Sequence, residues 1–178
     1  MSPTAGRRIF VLILFLAFFL RFWQASDLFV FTGDEEHQLS ITQTIVENFH
    51  LEWVGVSSAD TGFYIGPFWE YFGAFWLWLS RGDPAILAYV AGALGIATTI
   101  LVYLAGKFLF SETVGLVASF LYATLPLIVY YDRKFWNPTL TSFTALALFF
   151  TLAKTKDSPK WWFLVALLYG LAFHVHLS

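Results

Sequence analysis

Residues 84–106 read PAILAYVAGALGIATTILVYLAG, with no Asp, Glu, Lys, Arg or His anywhere among them. An α-helix needs about 20 predominantly apolar residues to cross the hydrocarbon core of a bilayer. This stretch supplies that length, and Pro84 sits in its first turn, where a missing backbone N–H costs nothing. Working outward, the same composition continues. The 178-residue chain is 58% hydrophobic, 21% aromatic and 12% charged, with a mean hydropathy of +0.68. A soluble domain carries about 25% charged residues. The class that follows is a polytopic α-helical membrane protein. A membrane β-barrel would alternate polar and apolar residues in segments of about ten, and no such alternation is present. A net charge of −2 argues against nucleic-acid binding, and the absence of cysteine excludes disulfide and thiol chemistry.

Upstream, residues 8–23 form the first span, and Arg7 and Arg8 before it place the N-terminus in the cytoplasm. Residues 11–20 have the apolar character of a signal peptide, but Arg21-Phe22-Trp23 stands where a small-residue cleavage site would be, so the segment reads as an uncleaved anchor. A polar loop, 26–65, carries Asp27, Asp34, Glu35, Glu36, Glu47, Glu52 and Asp60. Within it, 34–49 reads as a helix with Leu39, Thr42, Ile45, Val46 and Phe49 on one face, started by a Thr32/Glu35 capping box. Residues 66–80 place Phe68, Trp69, Phe72, Phe75, Trp76 and Leu79 on one stripe, interrupted by Glu70. The segment is short for a span, and its aromatics suit a helix at the membrane interface. Glu70 should face water or protein rather than lipid.

Downstream come spans at 113–131, at 138–154 after Asn137-Pro138, and at 161–176, joined by turns at 107–112, 132–134 and 154–160. The expectation is therefore one all-α unit with about five transmembrane helices: 1–25 as first span, 26–82 as an outer loop with two juxtamembrane amphipathic helices, and 83–178 as four further spans. Of the ten cations, six (Arg7, Arg8, Lys107, Lys154, Lys156, Lys160) then lie on the cytoplasmic side and four (Arg21, Arg81, Arg133, Lys134) outside. If 66–80 crossed the membrane, the division would be even. The preferred topology puts the acidic loop, residues 132–134 and Asn137 on the same outer face.

Several residues invite a chemical reading. Asp34, Glu35 and Glu36 in a helix's first turn complement its dipole by about 0.3–1 kcal/mol each; alternatively, Asp34 at the membrane surface is a general base. Arg133 and Lys134, next to Phe135 and Trp136, are suited to gripping a phosphate; snorkelling cations with aromatic anchors are the plainer account. Asn137 before Pro138 is a natural helix N-cap. His174 and His176 stand two apart, a poor metal-ligand spacing on a helix, and His37 and His50 have no partner pattern. Tyr64 lies in a Gly- and Pro-bounded turn leading to the interfacial helix, where a binding role is open to it.

The order of these elements resembles the N-terminal part of the GT-C glycosyltransferases that use polyprenyl-phosphate sugars, with protein O-mannosyltransferases and lipid A aminoarabinose transferases as the nearest patterns. The carrying residues are Thr32-Gly33-Asp34-Glu35 after the first span, Ile65-Gly66-Pro67-Phe68-Trp69, Gly106-Lys107-Phe108-Leu109-Phe110, and Tyr130-Tyr131-Asp132-Arg133-Lys134-Phe135-Trp136-Asn137-Pro138. The resemblance implies an inverting transferase in a cell (inner) membrane. Its donor would be a polyprenyl-phosphate-linked sugar, its acceptor a protein or a lipid or glycan. Asp34 would be the base with Glu35 assisting, and Arg133 and Lys134 would stabilise the departing phosphate. The resemblance implies no cofactor, although a divalent metal is compatible with it. A second family acid falls near Asn137, an amide here, with Asp132 as the substitute. The chain corresponds to about the first third of such enzymes, so it is expected to continue past Ser178 and to be inert alone. Two other classes compete: a piece of a transporter, and a non-catalytic membrane subunit. Transporters place ionisable residues in mid-membrane; residues 84–106, 113–131 and 138–153 contain no Asp, Glu, Lys, Arg or His.

Overall fold

The computed structural model describes residues 3–29, 31–57 and 62–175; Asp60 and His176 lie outside them. Among the described residues the fold is all-helical: α1 (Pro3–Phe22), α2 (Gly33–Asn48), α3 (Phe68–Leu79), α4 (Ala85–Leu109), α5 (Glu112–Thr124), α6 (Pro126–Tyr131), α7 (Thr139–Lys154) and α8 (Trp161–Ala172). The 25-residue α4, whose most apolar 18-residue stretch has a mean hydropathy of 2.2, is long and apolar enough to cross a membrane. It is also the hub, packing against α1, α3, α5 and α7. Glycine permits its closest approach: a Cβ on Gly106 would lie 2.8 Å from Gly115 Cα, and one on Gly115 would lie 2.6 Å from the Tyr103 carbonyl. The α4 and α5 backbones therefore touch, as small residues allow.

Helix α7 matches the span read at 138–154, while the first, third and last expected spans differ from their reading. The first helix is 20 residues long and begins at Pro3, but it holds Arg7, Arg8 and Arg21. Helices α7 and α8 are apolar but only 16 and 12 residues long, and α8 stops at Ala172 rather than near 176. The stretch 113–131 is two helices, not one. Pro126 has no N–H and disfavours helical backbone at Leu125, which is extended at φ −60, ψ 121.

That break leaves the carbonyls of Tyr122 and Ala123 without their helical donors, and a side chain from α1 replaces them. Arg21, wholly buried, donates to Tyr122 O (3.2 Å) and Ala123 O (3.0 Å). The same guanidinium donates through Nε (3.0 Å) and Nη2 (2.6 Å) to Asp132 Oδ2. Tyr122 donates its hydroxyl to the other carboxylate oxygen at 3.2 Å. Arg21 is thus a buried ion-pair partner rather than an outer loop charge. Gly95 of α4 makes room for the pair, since a Cβ there would stand 2.5 Å from Arg21 Nε.

Between α1 and α4, helices α2 and α3 pack on one another. The capping box forms as expected: Glu35 accepts from the Thr32 backbone N–H at 3.0 Å. The buried face of α2 is nevertheless Glu35, Gln38 and Thr42, and Phe49 points outward. Helix α3 buries Trp69, Glu70 and Leu77. Trp69 stacks on Phe135 with centroids 4.4 Å apart, within a core completed by Leu87, Val90, Ala91, Leu140 and Val175. Glu70 faces protein, as its charge demanded. Asn137 is not an N-cap. Pro138 occupies that place without a side-chain cap, while the Asn137 amide accepts from Gln38 (2.5 Å) and donates to the Val175 carbonyl (2.6 Å).

Removing one partner of a buried ion pair strands the other charge, at a cost of about 3–5 kcal/mol. Asp132→Asn should lower the thermal midpoint markedly, and the joint change Arg21→Met with Asp132→Leu should recover part of it. A midpoint for Asp132→Asn equal to the parent's would show that the pair contributes nothing.

Candidate functional site: a cationic cleft beside the start of α2

Two clefts flank α6. One, of about 580 Å³, has apolar walls from Leu20, Leu28, Pro126 and Val129, with Tyr130, Arg133, Lys134 and Thr32 at its polar end. The other, of about 350 Å³, is lined by residues including Tyr131, Asp132 and Trp136 and contains no lysine or arginine. The short α6, which the proline break creates, is the wall between them.

The cations of the larger cleft are held by separate devices. Arg133 closes the end of α1: Nη2 donates to Trp23 O (2.8 Å) and Gln24 O (3.2 Å), and Nη1 to Leu20 O (3.4 Å). Helix ends leave such carbonyls unpaired, and a cation there complements the helix dipole. Three of the five guanidinium N–H groups are used in this way, leaving Nε and one Nη1 hydrogen. Lys134 donates to Glu35 Oε1 (2.8 Å) and Thr32 Oγ1 (3.2 Å), lies over the Tyr130 ring at 5.3 Å and interacts with the Tyr130 side chain by hydrogen bonding as well.

Glu35 is buried, with a side chain 4% exposed. Burial alone would raise its carboxyl. The Lys134 ammonium and the Thr32 donors outweigh that and hold it below its ordinary value of 4.5. The hydrogen bond to Glu35 correspondingly raises Lys134. Asp34, one residue earlier, is exposed and has no hydrogen-bond or ion-pair partner among the described residues. The contact of Lys134 with Thr32 sets the start of α2 at the cationic end of the cleft; Asp34 is exposed beyond Thr32 and is not among the residues that line the cleft.

The remaining candidates fall elsewhere. Asp132 is buried and engaged with Arg21 and Tyr122. Asn137 ties α2 to Val175 through Gln38. Tyr64 pairs across a short hairpin with Ser57 and does not line the cleft. The Nδ1 of His174 is buried without a hydrogen-bond partner and packs against Gly66, where a Cβ would meet it at 1.9 Å. Among the described residues no three His, Asp or Glu side chains converge to hold a metal. Sequence reasoning missed Arg21 and Gln38. The signals were present: opposite charges end two apolar segments at Arg21 and Asp132, and Glu35, Gln38 and Thr42 recur at helical spacing.

The Glu35–Lys134 pair carries a pH signature. Glu35, depressed when folded, contributes stability fully present above pH 4.5 and lost as the pH falls through its lower folded value. Lys134, raised when folded, contributes stability fully present below pH 10.5 and lost as the pH rises through its higher folded value. In melts across pH, Glu35→Gln should be less stable than the parent at neutral pH, with the gap closing in acid. A gap independent of pH would exclude the pair as its source.

The family model for dolichyl-phosphate-mannose-protein mannosyltransferases matches residues 66–177. The match includes Arg133 and Lys134 and begins after Asp34 and Glu35. No curated protein and no solved structure matches the chain.

Proposed function

Because the chain belongs to the dolichyl-phosphate-mannose-protein mannosyltransferase family, glycosyltransferases of the GT-C type, we propose that the larger cleft receives the phosphate of a polyprenyl-phosphate sugar donor. Supporting this reading is the combination of apolar walls with two cations at one end. A prenyl chain fits the walls, and its phosphate fits the N–H groups that Arg133 has left and the neighbouring charge of Lys134. Both cations are held by protein contacts before any ligand arrives, so little ordering is needed on binding.

An acceptor hydroxyl of a protein, lipid or glycan lies above the donor at the start of α2. Its oxygen attacks the anomeric carbon from the face opposite the phosphate and inverts the configuration. The carbon–oxygen bond to the phosphate breaks, and its electron pair stays on the phosphate, where Arg133 and Lys134 stabilise the added charge. Asp34 takes the acceptor proton. Its freedom from other partners favours it over Glu35, whose oxygens are committed to Thr32 and Lys134. Glu35 assists by holding Lys134. The bilayer setting is a multi-pass cell membrane protein with a cytoplasmic N-terminus, in which α1, α4, the broken α5–α6, α7 and α8 are the five spans and α2 and α3 lie outside.

Asp34→Asn in the full chain should reduce kcat for transfer from a lipid-phosphate sugar by about 10²–10⁴-fold, the usual contribution of a general base, with donor KM little changed. Activity near the parent's would sink the assignment. Arg133→Met should instead raise donor KM by about tenfold or more, the worth of a charged hydrogen bond; an unchanged KM would remove the phosphate from this cleft.

A further inference from the structure

Residues 26–65 contain seven carboxylates and no lysine or arginine. Lys134 neutralises Glu35, and His50 stands 3.6 Å from Glu52. On α2, Glu36 and Glu47 are exposed and have no ion-pair partner among the described residues. They are three helical turns apart and so share a face. Directly beyond the end of that helix the chain turns large apolar side chains outward: Phe49 is 87% exposed and Trp53 84%, with Leu51 and Phe63 exposed beside them.

These side chains do not stand on slack chain. Gly55 N–H donates to Ile65 O (2.8 Å) and Ile65 N–H to Val56 O (3.2 Å), closing a hairpin. Tyr71 of α3 donates its hydroxyl to Glu52 O at 2.9 Å, and Val56 N–H donates to Glu70. Phe49 itself adopts the left-handed conformation, φ 51, at a helix end where glycine or asparagine is usual. The fold therefore holds an aromatic outward at a local conformational cost, a mark of functional positions. A fixed, exposed apolar patch of this kind indicates a binding surface.

We infer that the acidic face of α2, continued by the exposed side chains of Phe49, Leu51, Trp53 and Phe63, docks the acceptor, and that this acceptor is a basic polypeptide segment with an apolar side chain near the modified hydroxyl. The inference rests on the transferase reading and names its second substrate. Charge complementarity selects the occupant: away from Lys134 at its start, a face whose own residues include exposed Glu36 and Glu47 and no lysine or arginine attracts basic segments and repels acidic ones and anionic lipid. Arginine in such a segment also stacks on Trp53 and Phe49. Specificity then comes from rejection as much as from attraction.

The test is binding without turnover. The full chain, in nanodiscs of zwitterionic lipid and without donor, is titrated with a fluorescent peptide containing Ser, Thr, Phe and several Lys and Arg. The comparison peptide has Glu at each basic position. The basic peptide should bind about tenfold tighter or more. The preference should vanish as salt rises from about 0.01 M to about 1 M, which shortens the screening length from about 30 to about 3 Å. Trp53→Ala, and Glu36→Gln with Glu47→Gln, should each weaken peptide binding several-fold and leave affinity for the lipid-phosphate donor unchanged. Equal binding of the two peptides would overturn the proposal. So would quenching of Trp53 by brominated lipid with neither peptide bound, since the hairpin would then rest in the bilayer surface. Selective binding of the basic peptide without transfer to it would preserve the docking surface and refute the transferase reading; transfer to both peptides alike would do the reverse.

Discussion

The ion pair between Arg21 and Asp132 is the constraint on which the remaining arrangement hangs. Pro126 breaks a helix inside an apolar bundle, and the carbonyls it strands cannot be left dry, because an unmade hydrogen bond in such surroundings costs several kcal/mol. The guanidinium of Arg21 satisfies them, and Asp132 balances its charge. The same contact fixes where α6 ends, and hence where the next two residues emerge. Arg133 then reaches the end of α1 and Lys134 the start of α2. A buried pair is weak evidence of net stabilisation. Here its consequence is positional: it sets the direction of the segment that furnishes both cleft cations.

Charge in this protein divides into what the fold consumes and what it leaves. Arg21, Asp132 and Glu35 are buried and paired. Glu70 is buried with one carboxylate oxygen lacking a partner, and burial, the dominant influence, raises its carboxyl above the ordinary range. Arg133 is intermediate, partly spent on structure with two N–H groups remaining, and Lys134 is committed to Glu35, Thr32 and Tyr130. Asp34, Glu36 and Glu47 are left to solvent. Adjacent residues in one acidic run thus have opposite fates because successive positions on a helix point about 100° apart: Glu35 turns inward to Lys134, while Asp34 and Glu36 face out.

Patterns dictated by local chemistry were legible in the sequence. The capping box needed only Thr32 and Glu35 at their spacing. The apolar helix at residues 84–106 needed only its composition, and Glu70 had to face protein or water on electrostatic grounds alone. What escaped depends on partners distant in the chain. Asn137 before a proline has every local mark of a cap, yet Gln38 and Val175 claim its amide. On the face assigned to α2, Thr42 is buried and Leu39 packs on the core, but Glu35 and Gln38 join them because α2 meets Lys134 and Asn137, and Phe49 is exposed. Arg21 read as an interfacial charge because nothing local shows that Tyr122 and Ala123 would lose their donors. The proline at 126 was visible; its consequence was overlooked because the surrounding residues form an unbroken apolar run.

The contacts that latch α1 and α2 share a property that bears on how the protein is made. Arg21 and Asp132 are 111 residues apart in the chain, Glu35 and Lys134 are 99 apart, and Gln38 and Asn137 likewise. All close onto the one short segment that follows α6. During synthesis, α1 and α2 emerge long before that segment exists, at about 5–20 residues per second. For that interval Glu35 is without its lysine and Arg21 without its aspartate. Helix α1 and the acidic segment after it must therefore wait unlatched until a single late stretch of chain arrives and closes all three at once.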